Sequence, residues 1–277
     1  MYVTYTNLGK YGRLGNQMFQ YAAILGLADK LDCEAVIPDT SNVYWHGQLC
    51  PLNRLFNLSA TVRNETPDTI YHVTGRGTID HDFFSVPRGR IDIQGHPESE
   101  FYFKHIKDKV VAEFAIRPEF DVPAHEYIKS IKSDRDVVGV HLRRGDHATE
   151  YTFAQESKWL VEYYRKAFEL FHTDDMFLVF TGGSRVLGNS NTSDIEWCKY
   201  FFTKYFPEKN VTYSDIGTVE DDFARMVSCD HLILNSPSTL GWWAGYLRPK
   251  KVVVPDRFYP PVEITGYWPS HFTIVPM

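Results

Sequence analysis

Residues 137–147 read Val137-Val-Gly-Val-His-Leu-Arg-Arg-Gly-Asp-His147, an apolar, β-branched run that stops abruptly at two adjacent arginines, a glycine and an aspartate. A run without polar alternation predicts a strand buried on both faces, Val137 to Leu142, and such strands belong to parallel sheets covered by helices. The chain beyond it keeps that rhythm. Helices are predicted over Lys158 to Phe171, Asp194 to Tyr205, Glu220 to Ser228 and Thr239 to Leu247, with strands over Phe177 to Thr181, Val211 to Ser214, His231 to Asn235 and Lys251 to Pro255. This alternation reads as an α/β domain with a parallel sheet, whose ligands lie beyond the carboxyl ends of the strands. His141 to Asp146 stands at such an end.

Towards the amino end the pattern starts in the same way and then weakens. A strand is predicted over Tyr2 to Thr6, then a glycine-punctuated loop, Asn7 to Gly15, and a helix that Asn16 is placed to cap; Ala35 to Pro38 follows as a short buried strand. From Ser41 to Gly95 there are β-like pieces such as Thr69 to Thr74 and many turns, but no period, so the stretch reads as irregular. Ala115 to Lys132, with Pro118 and Pro123, reads as a junction. Two domains are therefore expected, 1–130 and 131–277.

Composition narrows the function classes. The 277 residues carry a net charge of −6, which argues against the broad basic face of a nucleic-acid binder. No run of 18 apolar residues is present, so no transmembrane segment is expected, and Met1 to Asn7 has no basic, apolar leader. Cys33, Cys50, Cys198 and Cys229 lack C-x-x-C spacing and read as free buried thiols, with a cytoplasmic location expected. Asn-x-Ser/Thr triplets at Asn57, Asn64, Asn191 and Asn210 leave a lumenal fragment open.

The arginine pair suits an anionic diphosphate, because guanidinium groups hold phosphate oxygens with fixed, paired donors. Gly145 lets the backbone come close, Asp146 orients a guanidinium, and His141 bonds to backbone or substrate; a surface salt-bridge cluster is the other reading. The loop Gly12-Arg-Leu-Gly-Asn-Gln17 has the look of a phosphate cradle at a helix start, yet it lacks both G-x-G-x-x-G and the Walker pattern, and an ordinary capped helix reads equally well. Asn235-Ser-Pro-Ser-Thr239 brings hydroxyls to another strand end, ahead of a small-residue helix whose Trp242 and Trp243 read as core. Gly95 to Phe103 crowds a histidine, two carboxylates and aromatics together, as sugar sites and plain loops both do. The acidic pairs Asp174-Asp175 and Asp221-Asp222 precede a strand or open a helix, so no metal site is expected from them.

Together these stretches resemble the α-1,2-fucosyltransferases of glycosyltransferase family 11. Gly12 to Tyr21 is similar to the family's G-x-L-G-N-Q-M-F-Q-Y, and His141 to Asp146 to the H-x-R-R-G-D shared by several fucosyltransferase families. Gly95 to Phe103 resembles G-x-x-Q-S-E-x-Y-F, with Glu98 where glutamine is usual, while Asp222 to Cys229 and Thr239 to Leu247 resemble D-L-x-L-M-S-x-C and T-F-S-W-W-G-A-W-L. Where the family often shows F-S-D-D, this chain has Phe180-Thr-Gly-Gly183, so nucleotide recognition there differs or rests on backbone groups.

The resemblance implies a GT-B-like fold, two Rossmann-like domains facing across a cleft, with the second binding GDP-fucose and the first on the acceptor side. It implies inverting, metal-independent and cofactor-free transfer of L-fucose from GDP-β-L-fucose to O2 of a terminal β-galactoside. Arg143 then holds the β-phosphate, Arg144 assists, and Asp146 and His141 order the pair. Gly15, Asn16 and Gln17 close over the donor, Asn16 in a catalytic role, and Asp222, Asn235, Ser236, Ser238 and Thr239 contact donor phosphates or base. Glu98, Ser99 and Glu100 fall to the acceptor. The general base is one of Glu98, Glu100 and Asp146. A different acceptor, such as a protein hydroxyl or a rhamnose, a different GDP-sugar, or a silent carbohydrate-binding protein are the other readings.

Overall fold

The computed structural model describes residues 1–45, 48–74, 78–132, 134–145, 156–182, 192–214, 217–248, 251–257 and 266–276. By their internal contacts they fall into two units, Met1–Arg117 with Ile264–Pro269, and Pro118–Glu263 with Ser270–Met277.

In the first unit β1 (Tyr2–Thr4) leads through the glycine loop into α1 (Leu14–Lys30) and β2 (Glu34–Ile37). A hairpin of β3 (Tyr44–Trp45) and β4 (Gln48–Leu49), a single helical turn α2 (Leu52–Leu55), strands β5 (Thr61–Val62), β6 (Thr69–His72) and β7 (Arg90–Gln94), and helix α3 (Lys107–Glu113) complete it. Five strands pair in parallel in the order β5-β2-β1-β7-β6. Ser41 to Gly95, expected to be irregular, thus supplies the hairpin and three strands of this sheet. Its strands are two to five residues long, and β7 hides its pattern because Asp92 is buried between Ile91 and Ile93. That carboxylate is stabilised there by Thr6, whose backbone N–H and hydroxyl both donate to it at 2.7 Å, and by Gln94 Nε2 at 2.9 Å.

The second unit opens with α4 (Pro118–Ile131). The supposed junction is therefore a helix: Pro118 takes its first position, where a missing N–H costs nothing, and Pro123 is accommodated inside it. Then follow β8 (Val137–Leu142), α5 (Lys158–Phe168), β9 (Met176–Thr181), α6 (Thr192–Tyr205), β10 (Asn210–Tyr213), α7 (Val219–Ser228), β11 (His231–Leu234), α8 (Thr239–Leu247), β12 (Lys251–Pro255) and β13 (Thr273–Val275). All six strands pair in parallel in the order β10-β9-β8-β11-β12-β13. Every residue of β8 is buried, and Val138, Val140 and Leu142 belong to a core filled by Tyr163, Tyr164, Phe168, Phe201 and Phe202 from α5 and α6.

Both units are Rossmann-like parallel α/β layers, as the alternation predicts for the second and the family resemblance implies for the first. Their strand orders also fix where ligands go. From the adjacent pair β8 and β11 the chain fans out to β9 and β10 on one side and to β12 and β13 on the other, which makes their carboxyl ends the topological switch point. In the first unit the pair β1 and β7 takes the corresponding place, with β2 and β5 on one side and β6 on the other. Among the described residues no helix is long and apolar enough to cross a membrane.

Candidate active site

At the switch point of the second unit the chain leaves β8 in a turn held from three sides. Asn235, at the end of β11, accepts the backbone N–H of Arg143 on its Oδ1 at 2.9 Å, tying the two strand ends together. The Arg143 side chain donates through Nη1 to the carbonyl of Gly182, beyond the end of β9, at 3.0 Å. Gly145 has φ +66, the left-handed conformation that glycine takes without strain.

The second arginine is placed differently from the first. Arg144 is buried, its Nε donates to Asp194 Oδ1 at 3.0 Å, and its guanidinium lies 3.9 Å from the ring centroid of Trp197. The other oxygen of Asp194 accepts the backbone N–H of Gly145 at 3.1 Å. Asp194 and Trp197, both on α6, therefore clamp the side chain and the backbone of the turn together. Nothing in the sequence spacing pairs them with Arg144. Asp146 lies outside the described residues.

His141 is buried at 5% exposure, and its Nδ1 has no hydrogen-bond partner among the described residues. Burial, reinforced by the Arg143 charge, pushes its pKa down to about 3, so the ring is neutral. It packs against the start of α8: a Cβ added at Gly241 would lie 2.6 Å from Nδ1. Ser236 is buried, its Oγ without a hydrogen-bond partner among the described residues, and Ser238 occupies the N-cap of α8 without a side-chain cap bond. Thr239 begins that helix, whose amino end favours an anion. Trp242 and Trp243 are fully buried, as core residues. Asp222 is buried on α7, where it accepts from Ser214 Oγ at 2.7 Å; Arg225 donates to the same hydroxyl at 3.0 Å. Arg143, Arg144, His141, Asn235, Ser236, Ser238, Thr239 and Asp222 thus all stand at carboxyl ends of strands of one sheet or on the helices that follow them.

The first unit gathers a second group at its own switch point. The structure corrects the capping role of Asn16: Arg13 is the N-cap of α1, without a side-chain cap bond, and Asn16 sits within the first turn. Its Nδ2 instead donates to Glu98 Oε1 at 2.8 Å, joining the first turn of α1 to the loop that follows β7. Glu98 is buried, and His96 Nδ1 approaches the same oxygen at 3.5 Å. Gln17 is buried and donates to the carbonyl of Gly12 at 3.1 Å, and Gly15 is buried beside it in the first turn. Ser99 caps the turn Glu100–Tyr102, accepting from Phe101 N–H at 3.2 Å, and donates to the Gly266 carbonyl at 2.8 Å. Glu100, at the first position of that turn, is half-buried.

Two of the remaining acids hold local turns. Asp175 accepts from the backbone of His172, and Asp221 forms a capping box with Thr218. Cys50, Cys198 and Cys229 are buried free thiols and Cys33 is half-buried; burial pushes the thiol of Cys198 up to about 12.

The chain matches the model of glycosyl transferase family 11 over residues 3–256. Galactoside alpha-(1,2)-fucosyltransferase 2 of Pongo pygmaeus is 25% identical over 256 residues, covering 85% of this chain and 67% of that protein. Galactoside alpha-(1,2)-fucosyltransferase 1 of Rattus norvegicus is 27% identical over 254 residues, covering 85% of this chain and 61% of that protein. The chain thus spans 61–67% of the length of these two relatives. Among solved structures, NodZ alpha-1,6-fucosyltransferase soaked with GDP-fucose is similar with a TM-score of 0.56 at 13% identity, covering 92% of this chain and 94% of that one. At that identity the likeness is one of fold, the GT-B type. Because the family match runs through both sheets and through all the motifs gathered at their switch points, the chain belongs to glycosyl transferase family 11.

Proposed function

We propose that this chain transfers L-fucose from GDP-β-L-fucose to O2 of a terminal β-galactoside, with inversion and without a metal. The observation that carries the reading is the arginine turn at the β8 and β11 switch point, built to receive an anion. The acceptor hydroxyl attacks C1 of fucose, the bond from C1 to the diphosphate oxygen breaks, and GDP departs with the electron pair. A single displacement turns the β-linked donor into an α-fucoside.

Negative charge grows on the departing diphosphate, and a donor that bonds it more strongly in the transition state than in the bound substrate lowers the barrier. Arg143 has that role. Arg144, held by Asp194 and Trp197, is a positioning residue that fixes the turn, and neutral His141 adds no competing charge beside it. Ser236, Ser238 and Thr239 offer hydroxyls and a helix amino end to the phosphates. Asp222 and Asn235 complete the donor side, with Asp146 orienting the arginines. On the first unit Gly15, Asn16 and Gln17 are assigned to the donor, and Glu98, Ser99 and Glu100 to the acceptor. The proton of the attacking hydroxyl goes to a carboxylate, one of Glu98, Glu100 and Asp146.

Support for the acceptor comes from the relatives, which are named galactoside alpha-(1,2)-fucosyltransferases. The test is to incubate the protein with GDP-fucose and lactose in EDTA and determine the product linkage by NMR. An α-fucosyl group on O2 of galactose is expected; absence of GDP release would overturn the reading.

A further inference from the structure

Beside Asn16 the first unit exposes an aromatic pair that the donor and base chemistry does not use. Tyr11 and Trp45 stack with ring centroids 5.4 Å apart and planes 27° from parallel, yet Tyr11 remains 52% exposed. Trp45 is half-buried, so the pair sets one firmly seated ring against one open to water, and an apolar ring kept in water costs hydration free energy that a ligand covering it would recover.

The pair is fixed in place. Gly9 packs so tightly under the β3 and β4 hairpin that a Cβ there would lie 3.1 Å from both Cys50 Sγ and Val43 Cγ1. Cys50 Sγ donates to Gln17 Oε1 at 3.2 Å, and its backbone N–H to the Val43 carbonyl at 2.8 Å. On the loop side Gln20 Nε2 holds the Tyr11 carbonyl at 2.9 Å and Gln17 Nε2 the Gly12 carbonyl at 3.1 Å. Glycine loop, hairpin and first turn of α1 therefore form one stitched element.

That element leads directly to the Asn16 and Glu98 pair. A Cβ at Gly12, next to Tyr11, would lie 2.5 Å from Asn16 Cβ, and Asn16 donates to Glu98 at 2.8 Å. An uncharged ligand with one apolar face and one hydroxylated edge matches this arrangement of a stacked, partly exposed aromatic pair beside amide and carboxylate. A β-galactoside is such a ligand, its axial O4 leaving the opposite face of the ring as a patch of C–H groups. We infer that Tyr11 and Trp45 form the stacking platform for the galactosyl acceptor, an inference that rests on the fucosyl-transfer reading and adds a subsite to it.

The test uses the full chain with GDP-fucose, measuring transfer to lactose and, without acceptor, hydrolysis to water. Trp45→Ala and Tyr11→Ala are expected to raise KM for lactose about fivefold to tenfold, the scale of one aromatic stacking contact. Trp45→Phe restores most of the loss, while KM for GDP-fucose and the hydrolysis rate stay within about twofold. Lactose KM insensitive to both alanines, donor hydrolysis lost in parallel with transfer, or hydrolysis by the parent protein without transfer to lactose each overturns the platform. A parent protein that never consumes GDP-fucose overturns the fucosyl-transfer reading itself, and the platform with it.

Discussion

In the second unit the switch point between β8 and β11 presents Arg143 and Arg144 with the amino end of α8, whereas in the first the pair β1 and β7 ends in Asn16, Glu98 and the buried Asp92. Each switch point is bridged by one side-chain amide. Asn235 receives the Arg143 backbone at 2.9 Å in one, and Asn16 reaches Glu98 at 2.8 Å in the other. The same parallel architecture thus carries guanidinium groups and hydroxyls in one sheet and an amide paired with a carboxylate in the other. Fold alone therefore dictates where each group stands, and side-chain chemistry dictates what it binds.

That contrast is broken most severely at Arg143. Arg143→Ala should lower kcat/KM for fucosyl transfer about a thousandfold, the scale of losing a preorganised oxyanion donor, and Arg143→Lys should recover only part of it because a lysine lacks the paired fork. Next is the clamp. Asp194→Ala leaves Arg144 without its carboxylate, and urea unfolding should show a loss of about 3 kcal/mol, with weaker GDP binding; Asp194→Asn should lose less, since it retains an acceptor for Gly145.

A smaller effect follows from His141. Its pKa lies at about 3 in the folded chain against 6.5 for an ordinary histidine, so the unfolded chain binds the proton more readily. The resulting stability is fully present above pH 6.5 and declines as the pH falls towards 3. This side chain should account for about 1 kcal/mol lost between pH 7 and 5.5, and His141→Gln should flatten that part of the denaturation profile. Least affected should be Glu98→Gln, which keeps an oxygen for Asn16 and matches the residue usual in the family. Transfer should remain within about threefold; a loss of a hundredfold would make Glu98 the base and redefine the acidic side of the comparison.

The two units also differ in how legible they were. β8 to β12 and the helices between them fell within a few residues of their expected ends, because strands buried on both faces and amphipathic helices write their periods plainly. In the first unit β5 and β7 escaped, one being two residues long and the other carrying a buried Asp92 that interrupts its apolar run. α4 escaped because its two prolines look like breakers, though the first sits where a helix tolerates one. Of the site, the arginine turn, Asn235 and the hydroxyls before α8 were readable from their place at strand ends. The roles of Asp194 and Trp197, some 50 residues from the turn they hold, depend on contacts that no local pattern encodes.

Calorimetric titration of GDP in EDTA, with the parent chain and with Arg143→Ala, tests most directly whether the arginine turn itself receives the diphosphate. Binding by the parent chain that is lost in the variant, while the variant's unfolding transition stays in place, is the predicted result. Equal affinity in both proteins, or binding by the parent chain only when a divalent cation is restored, would contradict it.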